Sequence, residues 1–192
     1  MRARRDFPAP IVVVQHRTAA PQSFLASVLA SRSALPVVDA EAGGTIEGGV
    51  VYVARPDLHL TVTPANRFAY VNGTRIRHAL SSANPLFASA AAVFGVGIIG
   101  VVLTGFGCDG TDGVQAISAH GRVVIAQDEE TSHNFGMPRS AIGTGVVVGA
   151  LPIEAIAPAL VRLVGRRRVD RAPLSRKRLE NQRRESRGIS LE

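Results

Sequence analysis

Ile98–Arg139, IIGVVLTGFGCDGTDGVQAISAHGRVVIAQDEETSHNFGMPR, sets two apolar runs on either side of a glycine-rich turn and a helical segment. Ile98–Leu103 carries no polar side chain to place in water, so it reads as a strand buried on both faces. Thr111–His120 has helical spacing and stops at Gly121, and Val123–Ala126 is apolar and β-branched enough for a second strand. Strand, helix and strand in that order make a parallel unit with a crossover. The turn between the first strand and the helix, Gly105-Phe106-Gly107-Cys108-Asp109-Gly110, has two readings. Its G-x-G-x-x-G spacing fits a dinucleotide pyrophosphate, with Asp128 placed where an acid would meet a ribose hydroxyl. The same turn also puts Asp109 beyond the carboxyl end of a buried strand, where a carboxylate can orient a histidine.

Outward from this unit the alternation continues. Phe7–Val14 leads into a buried strand ending at Gln15-His16, and Pro21–Ser31 has Phe24, Leu25, Val28 and Leu29 at helical spacing. Val37-Val38, Gly48–Val53 and Leu58–Val62 are strand candidates, the last two flanking the turn Arg55-Pro56-Asp57, and Asn72-Gly73 signals another turn. Asn84-Pro85 opens a helix running to Gly95, with Asn84 as its expected N-cap, and Leu151-Pro152 starts a last helix through Leu163. The expected class is α/β, a doubly wound and mostly parallel, Rossmann-like sheet. His16 and Asp109 would both sit just past the carboxyl ends of parallel strands, where such sheets place their sites. His59, His78, His120 and His133 read as structural.

The 192 residues suit one compact domain, and the single cysteine, Cys108, leaves no internal disulfide framework. The apolar runs are too short to span a bilayer and no secretory leader is read, so a cytoplasmic protein without membrane insertion is expected. The net charge of +7 is unevenly spread. Residues 165–192 hold ten basic against four acidic side chains, while 1–164 hold twelve against eleven. The expected organisation is a near-neutral domain over 1–164 followed by a basic, disordered tail over 165–192. No aromatic residue interleaves with the tail's arginines, and no nucleic-acid partner is expected.

Several ordered motifs together resemble one family. Phe7-Pro8-Ala9-Pro10 through Gln15-His16, Gly49-Val50-Val51-Tyr52-Val53-Ala54 with His59-Leu60, Leu103–Gly110, Ala126-Gln127-Asp128-Glu129 and Phe135-Gly136-Met137-Pro138-Arg139 are similar to the signatures of CheB-type protein-glutamate methylesterases. The resemblance spans about Phe7 to Leu163. It implies a serine hydrolase without cofactor or metal, in which His16 is the base and Asp109 the orienting carboxylate. The implied substrates are glutamyl methyl esters, with glutamine deamidation as a second activity, on methyl-accepting chemotaxis receptors. It also accounts for Asp128 without a ribose.

The departures from the family's pattern set further expectations. The family carries its nucleophile in a Gly-x-Ser-Thr-Gly-Gly turn after a first strand, and this sequence contains no such segment. The first strand and helix of the sheet are therefore expected to be missing, and a catalytically inactive remnant that binds receptor helices or partner proteins is the alternative function. Phe106 stands where the family has methionine, which is expected to reshape the pocket wall. Leu80-Ser81-Ser82-Ala83-Asn84 replaces Arg-Pro-Ser-Val-Asp, which is expected to remove polar groups facing the site. Cys108, Ser81, Ser82 and Ser132 are not supported as replacement nucleophiles.

Overall fold

The structure, a computed structural model, describes residues 7–16, 24–71, 81–121 and 123–171, the last six of these by their backbone alone. The chain divides after Pro158 into a body and a second unit, whose described part continues the final helix. Along the chain come β1 (Ile11–Val13), α1 (Leu25–Ala30), β2 (Val37–Asp39), β3 (Val51–Val53), β4 (His59–Thr63) and β5 (Arg67–Val71). They are followed by α2 (Ala83–Phe94), β6 (Ile99–Val102), α3 (Thr111–Ala119), β7 (Val123–Gln127), α4 (Gly136–Gly143), β8 (Gly149–Leu151) and α5 (Ile153–Arg171).

The class is α/β and mostly parallel, as the alternation implies. The parallel strands form two three-stranded sheets, ordered β1-β3-β2 and β6-β7-β8, with every neighbouring pair parallel. Among the described residues β1 and β6 are both edge strands, each with a strand partner on one side only. The carboxyl ends of β1 and β6 converge on the site described below. β6 is buried on alternate residues, Gly100 and Val102 inward and Ile99 and Val101 half-buried. It is not buried on both faces, and an edge position explains why its apolar run overstates its burial.

The turn Arg55-Pro56-Asp57 joins strands of different sheets, since β3 belongs to the parallel set and β4 pairs antiparallel with β5. The hairpin signal lies later, in Thr63–Asn66. Pro64 presets the turn, Asn66 takes a left-handed φ of 57°, and the Asn66 N–H reaches the Thr63 carbonyl at 2.9 Å. The Asn72-Gly73 signal and His78 lie outside the described residues.

Two apolar clusters form the core. Tyr52, Leu60, Val62 and Phe68 gather with Leu86 and Ala90 in one, and Val102, Val114, Ile117, Val124 and Ala141 with Ala91 in the other. Helix α2 contributes to both, so its amino terminus is held from two sides. Ser89 ties it to β4, its hydroxyl accepting the Val62 N–H at 3.0 Å and donating to the Pro85 carbonyl at 2.7 Å. Complete burial of Phe68, which meets Tyr52 edge-on at 4.9 Å, is worth about 1.5–3 kcal/mol in transfer terms.

Helix α2 starts two residues earlier than its Asn84-Pro85 signal suggests. Its N-cap is Ser82, in extended conformation, whose hydroxyl accepts the Asn84 N–H. Pro85 still falls in the first turn, where a missing N–H leaves no bond unmade. α5 runs past residue 164 to Arg171. Among the described residues no helix is long and apolar enough to cross a membrane.

Candidate active site

His16 lies three residues beyond β1, and Asp109 lies in the glycine turn between β6 and α3. The fold brings them together: His16 Nε2 stands 2.9 Å from Asp109 Oδ2. The turn can present Asp109 this way because Gly107 and Gly110 take φ values of 77° and 87°, which side-chain-bearing residues rarely adopt. The second element holding the turn is the loop that leads into α4. The Gly105 N–H donates to the Asn134 carbonyl, and the Met137 N–H donates to the Gly105 carbonyl.

The Asp109 carboxylate is nearly enclosed, its side chain 5 % exposed, and it meets three donors. Oδ2 receives the Ala83 N–H at 2.7 Å in addition to His16, and Oδ1 receives the Ser82 hydroxyl at 2.5 Å. Burial alone would push its pKa up. The bonds from His16, from the Ala83 amide and from Ser82 outweigh that, and the carboxyl is held below the ordinary value of 3.8. Because Ala83 is the first residue of α2, the helix also directs its positive end at this charge.

Ser82 is itself fixed. Its backbone N–H donates to Nδ1 of His59 at 3.2 Å, and His59 is 1 % exposed. Nδ1 is therefore an acceptor, which leaves the ring proton of a neutral His59 on Nε2. Asn84 extends the same arrangement, its Oδ1 accepting the Gly113 N–H of α3 at 2.7 Å. The segment Ser81–Asn84 thus keeps polar groups at the site, contrary to the expectation drawn from its departure from Arg-Pro-Ser-Val-Asp. What that expectation missed is that Ser82 and Asn84 stand at the third and fifth positions, where the family pattern is also polar. His59 likewise does more than fill space, since it anchors the turn carrying Ser82.

Other residues singled out in the sequence stand elsewhere. Phe106, flanked by Gly105 and Gly107 in the turn, is 80 % exposed. Asp128 has its Oδ1 taken by the backbone and hydroxyl of Thr131, at 3.0 and 2.7 Å, and caps its own loop. The Ser81 hydroxyl donates to the Arg55 carbonyl, and that of Ser132 to the Asp128 carbonyl. Cys108 is half-buried, and its carbonyl accepts the Thr111 hydroxyl. One residue that sequence reasoning passed over is Gln127, buried at the end of β7. Its Oε1 accepts the Thr104 N–H at 2.9 Å and its Nε2 donates to the Thr131 carbonyl at 2.7 Å, locking the strand before the glycine turn to the next loop.

A histidine and a carboxylate in this relation can accept a proton from a hydroxyl or water and stabilise the cation that results. Nε2 faces Asp109, so Nδ1 is the nitrogen left for that proton. Residues 1–160 match the family described as CheB methylesterase. The chain belongs to the CheB methylesterase family. It is 39 % identical over 167 residues to the protein-glutamate methylesterase/protein-glutamine glutaminase of Pyrococcus horikoshii, covering 83 % of this chain and 44 % of that protein. It is also 39 % identical over 160 residues to the protein-glutamate methylesterase FrzG of Myxococcus xanthus, covering 83 % of this chain and 48 % of the relative. The chain thus spans less than half the length of these relatives. The crystal structure of the Thermotoga maritima CheB methylesterase catalytic domain superposes with a TM-score of 0.81 at 37 % identity, over 83 % of this chain and 86 % of that one. The doubly wound α/β class of the CheB catalytic domain therefore holds for this chain.

Proposed function

We infer that this chain supplies the histidine and the carboxylate of a serine esterase that hydrolyses glutamyl methyl esters on chemotaxis receptors, with glutamine deamidation as its second activity. The observation that carries the reading is the 2.9 Å contact between His16 and Asp109 at the converging carboxyl ends of β1 and β6. In that role His16 takes the proton of a serine hydroxyl as it attacks the ester carbonyl, and returns it to the departing methoxide, which leaves as methanol. Water, deprotonated by the same nitrogen, then cleaves the acyl-enzyme to the free glutamate side chain. Asp109, kept ionised by its donors, holds the imidazole and stabilises its charged form.

The nucleophile of this scheme belongs to a Gly-x-Ser-Thr-Gly-Gly segment, which Met1–Glu192 does not contain. Among the described residues β1 and β6 each have a strand partner on one side only, and both end at the site, which supports entry of the strand that carries it. The same lack favours a second reading, a catalytically inactive chain that binds receptor helices.

The test is methanol release from methylated receptor fragments. It compares Met1–Glu192 with the product of the reading frame extended upstream as far as it stays open. Release by the longer product, lost in His16→Ala, supports the esterase. Binding by both products with release by neither selects the inactive binder, and the absence of both activities overturns the two readings together.

A further inference from the structure

We propose that Ser82 is a positioning residue for Asp109, its hydroxyl fixing the plane of the carboxylate so that Oδ2 alone is presented to His16. This rests on reading Asp109 as the orienting carboxylate.

The carboxylate torsion of an aspartate is intrinsically soft, so its plane must be set by partners. Both bonds at Oδ2, from His16 and from the Ala83 N–H, leave the group free to pivot about that oxygen. The bond at Oδ1 removes the pivot, and Ser82 provides it from a position with 0 % exposure. Ser82 is well suited to the task because it cannot wander. Its N–H is bound to His59 Nδ1, its oxygen accepts the Asn84 N–H, and its backbone is the cap of a helix anchored in both core clusters. These bonds also remove Ser82 as a nucleophile. Its proton is committed to Asp109, its oxygen to a backbone amide, and it has no exposed surface for a substrate to reach. A misplacement of about 1 Å in such a group can lower turnover about a hundredfold.

The test reads the two partners by NMR on the folded chain Met1–Glu192, so it needs no turnover. Ser82→Gly removes the hydroxyl yet remains a good helix cap, losing only a few tenths of a kcal/mol in that capacity. Ser82→Thr keeps the hydroxyl. In the unaltered chain the Asp109 carboxyl carbon is expected to titrate below an ordinary aspartate and the His16 nitrogens to report one tautomer with the proton on Nε2. Ser82→Gly is expected to move the Asp109 midpoint upward and the His16 nitrogen shifts toward a mixture of tautomers, and Ser82→Thr to leave both near their original places. If Ser82→Gly lowers stability while leaving both signals unmoved, Ser82 is a helix cap and the proposal fails. A third reading needs no substitution: the Ser82 hydroxyl proton should be resolved from water above the Asp109 titration and lost below it. Its absence in a folded chain overturns the proposal. Failure of the methanol assay with these NMR results intact refutes the esterase assignment alone.

Discussion

Asp109 and His16 meet at 2.9 Å, and the chain holds them by different means. Asp109 is enclosed at 5 % exposure, on a turn shaped by glycines and tied to α4, and it faces the amino terminus of a helix rooted in both core clusters. His16 stands past the end of a three-residue strand at the edge of its sheet, with a third of its side chain in solvent. The carboxylate side of the site is preorganised by this chain's own residues. Among the described residues the histidine side is held by the carboxylate it touches. Preorganised polarity needs donors already aimed before charge develops, and among the described residues the Asp109 side has them.

The sharpest way to break this contrast is to remove each partner in turn and measure stability by urea denaturation. Asp109→Ala strands the buried Ser82 hydroxyl and the Ala83 N–H without acceptors, and should cost about 2–4 kcal/mol on the scale of unsatisfied buried groups. Gly110→Ala should cost about 1–2 kcal/mol, because φ of 87° forces a side chain into a disfavoured region and tilts the turn presenting Asp109. His16→Ala should cost less than about 1 kcal/mol, since water can take the place of a partly exposed imidazole. Equal losses for His16→Ala and Asp109→Ala would refute the asymmetry. Phe106→Ala, at a side chain 80 % exposed, should stay within about 0.5 kcal/mol.

An acid titration of stability sharpens the same point. Asp109 is held below its ordinary value of 3.8, so its folded form binds a proton less readily than its unfolded form. Its contribution is fully present above that value and is lost as pH falls through the lowered folded pKa. Asp109→Asn should therefore flatten part of the acid limb of a stability-versus-pH curve while leaving its course above about pH 5 parallel to that of the unaltered chain. An unchanged acid limb would mean the three donors do not favour the ionised carboxylate.

The β-α-β unit around the glycine turn was legible because period and punctuation agree there: an apolar run, glycines, a helical face and a second apolar run. β4 could be read from its composition, whereas its partner β5 could not. Arg67–Val71 is half-exposed and mixed in character, and only the Pro64–Asn66 turn betrays it. α4 and β8 are short, and their sequences carry glycine and proline that locally argue against regular structure. At the site, His16 and Asp109 were legible as residue types at strand ends. Ser82 and His59 were not, because Asn84-Pro85 draws the cap two residues downstream of Ser82 and a lone histidine reads as structural.

By itself the sequence determined the α/β class, the order of the central elements, the family and the two candidate catalytic side chains, since each is written in local pattern or in motif. The folded chain supplied the rest: Asp109 is bonded by His16 on one oxygen and Ser82 on the other, and among the described residues β1 and β6 are edges. Those facts depend on contacts between segments 27 residues apart or more, whose approach is set by how α2 packs between two cores. No local propensity encodes that distance, and it is the distance that makes a carboxylate and an imidazole into a pair.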